Sequence, residues 1–292
     1  MMLNEIKKAW LHEEPGFFII DKPPGIGMHD EGGTPGIVSL LREMLGDDDI
    51  YPCHRLDKAT SGLLILGKGV DNTRAISELF STKQIQKYYL AVSAAKPKKK
   101  QGIVLGDMLQ ARGGSWKLSQ TRNNPAVTQF FSFGLEGLRL FLLKPATGKT
   151  HQIRVALKSL SAPVLGDERY GGNSLAMSEK LYKYLSHEGT LGSSQSVVDH
   201  RELARASPSP ETSGAGLQSQ TKSKIDRMYL HAYCVQFTLY NTEYEFKRSP
   251  GLGCVFTSHI FQTQLATLAD VSAMPWPDIH RFLNLNPTTE ER

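Results

Sequence analysis

Apolar positions fall along this chain in two rhythms. Some form short unbroken runs closed off by Gly or Pro; elsewhere an apolar side chain returns every three to four residues. Phe17-Phe18-Ile19-Ile20, stopped by Pro23-Pro24-Gly25, predicts a strand followed by a loop. Leu63-Leu64-Ile65-Leu66, between Gly62 and Gly67, predicts a buried strand. Further strands are expected at 88–92, 127–133, 138–143, 229–239 and 244–247. Ile37, Leu40, Leu41 and Leu45 have helical spacing and predict a helix over 35–45. Ala75, Ile76, Leu79 and Phe80 predict a second over 71–82, with Asp71 as its cap. Residues 150–160 predict a third, with Ile153, Leu157 and Leu160 inward. Strands and helices do not alternate regularly. The pattern therefore predicts an α+β fold around a mixed, largely antiparallel sheet with flanking helices and loops.

Residues 186–227 break the rhythm, with nine serines, no Phe, Tyr or Trp, and five acids cancelling five bases. Such a stretch buries too little apolar surface to offset its ordering entropy, so a flexible insertion is expected there. The main body is expected to run over 15–262, after an N-terminal segment of residues 1–14. A C-terminal extension, 263–292, carries Pro275-Trp276-Pro277 and matches no motif.

Composition narrows the class. The 292 residues are 40% hydrophobic and 22% charged, which supports a buried core and excludes wholesale disorder. No apolar run approaches the ~18 residues of a membrane span. The first residues hold acids and no apolar signal core, so a cytoplasmic protein is expected. Cys53, Cys234 and Cys254 form neither a disulfide framework nor a C-x-x-C metal pair, and read as reduced thiols. Cys53 lies next to His54, but sequence neighbours rarely reach catalytic geometry. The 34 Lys+Arg exceed the 29 Asp+Glu, a net +5 that hints at a polyanionic partner without locating it.

Three familiar motifs fail. Gly148-Lys149-Thr150 resembles the end of a P-loop, but Leu143 stands where the first glycine is required. Gly25-Ile26-Gly27 starts a dinucleotide fingerprint whose third glycine would fall at Asp30. Ser61 lacks both flanking glycines of a nucleophile elbow.

The most informative run is His54-Arg55-Leu56-Asp57-Lys58-Ala59-Thr60-Ser61-Gly62, directly ahead of the buried strand. By itself Asp57 reads as a turn residue held on a rigid edge. The whole string, however, resembles the signature of RluA-type pseudouridine synthases, in the compact form without an N-terminal S4 domain. Other segments fit in the same order: Asp21-Lys22-Pro23-Pro24-Gly25 with His29, Lys87-Tyr88-Tyr89-Leu90-Ala91, residues 144–155, residues 166–171 and Leu230-His231-Ala232. The resemblance covers roughly 15–172 and 228–247.

This resemblance implies the pseudouridine synthase fold over 15–262 and an isomerase that converts uridine to pseudouridine in tRNA or ribosomal RNA. It makes Asp57 the catalytic carboxylate, by attack on C6 of the ring, by attack on C1′, or by proton abstraction toward a glycal. It makes Arg154 the partner of Asp57, and Tyr89 the aromatic that stacks on the target base. Without it, Arg154 would read as a surface residue, and Tyr88 or Tyr89 as ordinary core. No metal, nucleotide or redox cofactor is implied, because substrate and product are isomers. Structured RNA is the implied partner, and nothing demands more than a monomer. Arg55 is expected to fill the position the base vacates or to contact the neighbouring phosphate. Lys87, Lys149 and His151 are expected at the RNA surface. Lys149 replaces the family's arginine, keeping charge but losing the bidentate fork. Ala156 replaces its histidine. A non-catalytic RNA-folding protein on the same fold is the alternative.

The charge is concentrated. Residues 79–106 hold six lysines and no acid, and 144–169 hold five bases against two acids. Lys98, Lys99 and Lys100 alone would be a solvated turn; beside a uridine pocket they are expected to follow RNA phosphates.

Overall fold

The computed structural model describes residues 11–172, 174–187, 225–268 and 270–283. Among them eleven strands form one sheet: β1 (Leu11–Glu13), β2 (Phe17–Lys22), β3 (Ile50–Pro52), β4 (Ser61–Lys68), β5 (Gln86–Ser93), β6 (Gln101–Gln110), β7 (Trp116–Leu118), β8 (Pro125–Leu135), β9 (Leu138–Pro145), β10 (Leu230–Leu239) and β11 (Thr242–Lys247). Its order is β1-β2-β4-β10-β5-β9-β8-β6-β7, with β3 paired to β4 and β11 to β10. Every pairing is antiparallel except β4 with β10, where Ser61 and Gly62 meet His231 and Ala232. The sheet is mixed and largely antiparallel, as the sequence pattern predicts.

Alternation along β5 and β9 separates the two faces. Tyr88, Leu90 and Val92 join Leu138, Leu140 and Leu142 in one core, covered by helices Leu175–His187 and His259–Ala266. Tyr89 and Ala91 point the other way, as side chains one apart in a strand must. That second face carries two clusters. One lies under helix Ile37–Leu45, where Ile37, Val38, Leu40 and Leu41 are buried. The other lies under helix Gln152–Ser159. Tyr89 packs against both, so the site forms where the two halves meet. The centre of β4 is apolar because both its faces are covered: Leu64 and Leu66 on one side, Leu63 and Ile65 on the other, above Ile76 of helix Gly69–Ser81.

Several elements depart from expectation. Helix Gly69–Ser81 begins ahead of the expected 71, so Asp71 lies in its first turn and Lys68 holds the cap position. Strands β6 and β7 carry no clear alternation and are missed from sequence; β6 gains its hydrogen bonds by pairing with β8. The boundary drawn at 263 falls inside helix His259–Ala266, which starts at Ser258, whose hydroxyl caps Phe261 N–H. Of the Ser-rich stretch, residues 188–224 lie outside the described residues. Its described ends join ordered elements: Ser186 and His187, both exposed, close a helix, and Ile225 is buried. No described helix is long and apolar enough to cross a membrane.

Candidate active site

The loop between β3 and β4 is tied down from both sides. His54 Nε2 accepts the Ile65 N–H at 3.0 Å, and Thr60 N–H donates to Asp57 O at 2.9 Å. Burial drives His54 down to about 3, so its imidazole is neutral and able to accept. From the other side, Gly25 N–H donates to Lys58 O at 2.7 Å. The buried Lys22 ammonium donates to Pro23 O, Ile26 O and Lys58 O, and burial lowers its pKa to about 7. Gly62 allows the strand to start here: its φ is +107°, and a Cβ would lie 2.3 Å from Ala232 O.

Asp57 stands at the end of this loop with its side chain 20% exposed, and Arg154 Nη1 donates to its Oδ2 at 3.1 Å. Arg154 is itself gripped by the fully buried Asp167, through Nε at 2.7 Å and Nη2 at 2.8 Å. Burial opposes the guanidinium's charge, but Asp167 and Asp57 outweigh it and raise the Arg154 pKa. The Arg154 guanidinium also lies 5.0 Å from the centroid of the Tyr170 ring. Tyr170 hydroxyl accepts Trp116 N–H at 2.9 Å and lies 2.9 Å from His151 Nδ1. Burial lowers the His151 pKa, and its Nε2 stands 4.0 Å from Asp57.

Gln152 shapes the loop before the helix. Its carbonyl oxygen accepts from Thr147 hydroxyl and Lys149 N–H, and its amide donates to Val127 O and Thr128 hydroxyl. Asp57, Tyr89 and Arg154 all open into one cleft of about 560 Å³. Burial, and then the charge of Asp57, raise the Tyr89 phenol, which stays protonated near neutrality. Among the described residues, Arg55, Lys83, Lys87, Lys149 and Arg154 line the cleft against a single acid, Asp57. An oriented carboxylate, an aromatic wall and a basic rim can take a planar base carrying phosphates on both sides.

Residues 16–159 match the family model for RNA pseudouridylate synthase. A Haemophilus influenzae protein described as an uncharacterized RNA pseudouridine synthase is 50% identical over 171 residues, covering 58% of this chain and 75% of its own. The chain belongs to the RNA pseudouridine synthase family. Ribosomal large subunit pseudouridine synthase C of Rickettsia bellii is 32% identical over 174 residues, and this chain spans 57% of that protein's length. The solved structure of human RNA pseudouridylate synthase domain containing 4 superposes with a TM-score of 0.61 at 25% identity, over 89% of this chain and 95% of that one. The family's chemistry is isomerisation, and the fold is the pseudouridine synthase fold.

In this family member the expected trio Asp57, Tyr89 and Arg154 meets in one cleft, and Arg55, Lys87, Lys149 and His151 line it too. Lys149 Nζ donates to Asn124 O at 2.6 Å, which spans the cleft's edge. Lys98, Lys99 and Lys100 stand elsewhere. They are exposed, but they follow the far end of β5 and do not line the cleft, which opens at the end where β5 begins and β9 finishes. Strand length separates them: Tyr89 to Ser93 alone is about 13 Å. The helix starts later than the expected 150: His151 precedes it with φ +56°, and residues 152–157 are all buried. Asp167, Tyr170, Lys83 and Phe282 were not singled out from sequence. Asp167 and Tyr170 do lie in the segment 166–171 that carries the resemblance.

Proposed function

We propose that this protein isomerises uridines to pseudouridine in ribosomal RNA or tRNA, with Asp57 as the reacting carboxylate. The observation that carries this reading is the Arg154–Asp57 contact at 3.1 Å in a basic cleft beside Tyr89. The target base leaves its stack, at a cost of a few kcal/mol, and Tyr89 offers a ring that offsets part of it. Asp57 then acts on the nucleotide at C6, at C1′, or on a ribose proton; the N1–C1′ bond breaks, the base turns, C5 bonds to C1′, and the C5 hydrogen leaves as a proton while N1 gains one. Arg154 holds the carboxylate's direction and cancels the penalty of its partial burial. Arg55 stands at the mouth to contact the flipped nucleotide's phosphate or fill its place. Relatives named for the ribosomal large subunit favour ribosomal RNA, modified in the cytoplasm.

Tritium release from 5-³H-uridine-labelled ribosomal RNA and tRNA transcripts tests the reading. The wild-type protein is expected to release tritium and Asp57→Asn to release none. Release surviving Asp57→Asn would remove the assigned role.

A further inference from the structure

The C-terminal segment that matches no motif is fastened across the sheet. Trp276 Nε1 donates to Val271 O at 2.8 Å, its ring lies 4.9 Å from Phe131 and 5.8 Å from Tyr88, and Lys144 Nζ stands 5.7 Å from its centroid. One residue on, Pro277 O accepts from the Gln129 side-chain amide at 2.5 Å. All of this is on the Tyr88 face, opposite Tyr89. Yet Phe282 lines the cleft together with Tyr89. Residues 276–282 therefore carry the chain around the end of the sheet where β5 begins and β9 finishes, and the turn His280–Leu283 delivers an aromatic ring to the cleft.

That position has a specific chemistry. Phe282 is half-buried and shares the cleft with Lys83, Lys87 and Lys149. A ring that only filled core would gain most by full burial, away from ammonium groups. A ring lining an open cleft that also holds several cations offers what an unpaired nucleotide needs: a π-face for the base and positive charge for its phosphates. We propose that Phe282 is a stacking residue for an unpaired base of the RNA strand flanking the target uridine, and that the 270–283 strap exists to place it. The inference rests on RNA being the ligand of this cleft, as the proposed function has it. It adds a second base-binding position beyond the one formed by Tyr89.

The test uses the full chain in an Asp57→Asn background, so that no turnover intervenes. Binding of a fluorescein-labelled oligouridine of about twelve nucleotides is measured by anisotropy over a range of salt. Phe282→Ala is expected to weaken binding about 5- to 100-fold. The slope of log affinity against log salt is expected to stay unchanged, since no phosphate contact is lost. Phe282→Trp is expected to keep the affinity, and Phe282→Leu to lose it as Ala does. Wild-type affinity in Phe282→Ala overturns the inference, as does Phe282→Leu binding as well as Phe. Thermal melting of each variant identifies any that fails to fold, and Phe282→Trp against Phe282→Leu then decides. Because binding alone is read, loss of affinity without tritium release by the wild type sinks the isomerase reading only. Tritium release with unchanged Phe282→Ala affinity sinks this one only.

Discussion

Asp167 holds Arg154 by two parallel hydrogen bonds, 2.7 Å to Nε and 2.8 Å to Nη2, and so turns the remaining nitrogen, Nη1, onto Asp57 at 3.1 Å. The planar fork leaves Arg154 no freedom to swing away without breaking a buried pair. Asp167 also accepts Arg169 N–H and Tyr170 N–H, which fixes its own carboxylate. The direction of the Arg154 contact with Asp57 is thus set by Asp167, one residue further back.

Asp167→Asn removes the buried negative charge and leaves Arg154 half-paired. Breaking such a pair from one side costs about 3–5 kcal/mol. A large loss in urea-unfolding stability is expected, with kcat falling at a nearly constant KM for RNA, since no RNA contact is removed. An unchanged kcat in the folded fraction would show that Asp57 needs no such aim.

The proposed function gives Tyr89 two roles that substitution can separate. Phe at this position keeps the ring but loses a hydroxyl close enough to the Asp57 charge to be raised by it. Tyr89→Phe is expected to bind RNA normally and turn over at least about tenfold more slowly. Tyr89→Ala is expected to lose affinity as well, by the ~1–3 kcal/mol of a stacked base. Equal turnover of Phe and Tyr would reduce the residue to a stacking wall.

Lys87 is one of the cleft's cations whose charge burial weakens. Burial lowers it to about 8, while a bound phosphate favours the charged form and raises it. RNA binding then takes up a proton above that pKa, so affinity is fully present at lower pH and falls as pH rises through about 8. Lys87→Arg is expected to flatten that fall, because guanidinium stays charged. Titration of RNA affinity from about pH 6.5 to 9.5 measures it; an equal fall in both proteins assigns the effect elsewhere.

Gly62→Ala puts a Cβ where Ala232 O already stands, at a φ of +107° that L side chains rarely adopt. The β4–β10 contact must open, at about 2–4 kcal/mol. Reduced stability together with lost isomerase activity is expected, since the Asp57 loop ends at this strand. Wild-type melting would show that the crossing tolerates a side chain.

Much of this molecule is written locally. The runs 17–20 and 63–66 and the helical spacing at 37–45 come out as expected, because burial of one strand or one helix face is encoded in residues close in sequence. The motif string around Asp57 and the segments at 87–91 and 144–155 likewise identify the family. What local pattern leaves out is whatever depends on pairing with distant chain. β6 exists because β8 supplies its hydrogen bonds. Lys98 to Lys100 fall away from the cleft because strand β5 carries them there. Asp167 becomes the holder of Arg154, and Phe282 comes to line the cleft, only when sheet and helices bring them across the molecule. Sequence by itself determined the elements, the family and the identity of the carboxylate to watch. Tertiary structure decided what aims that carboxylate and which cations face it, because a contact between residues far apart in the chain leaves no period for the sequence to display.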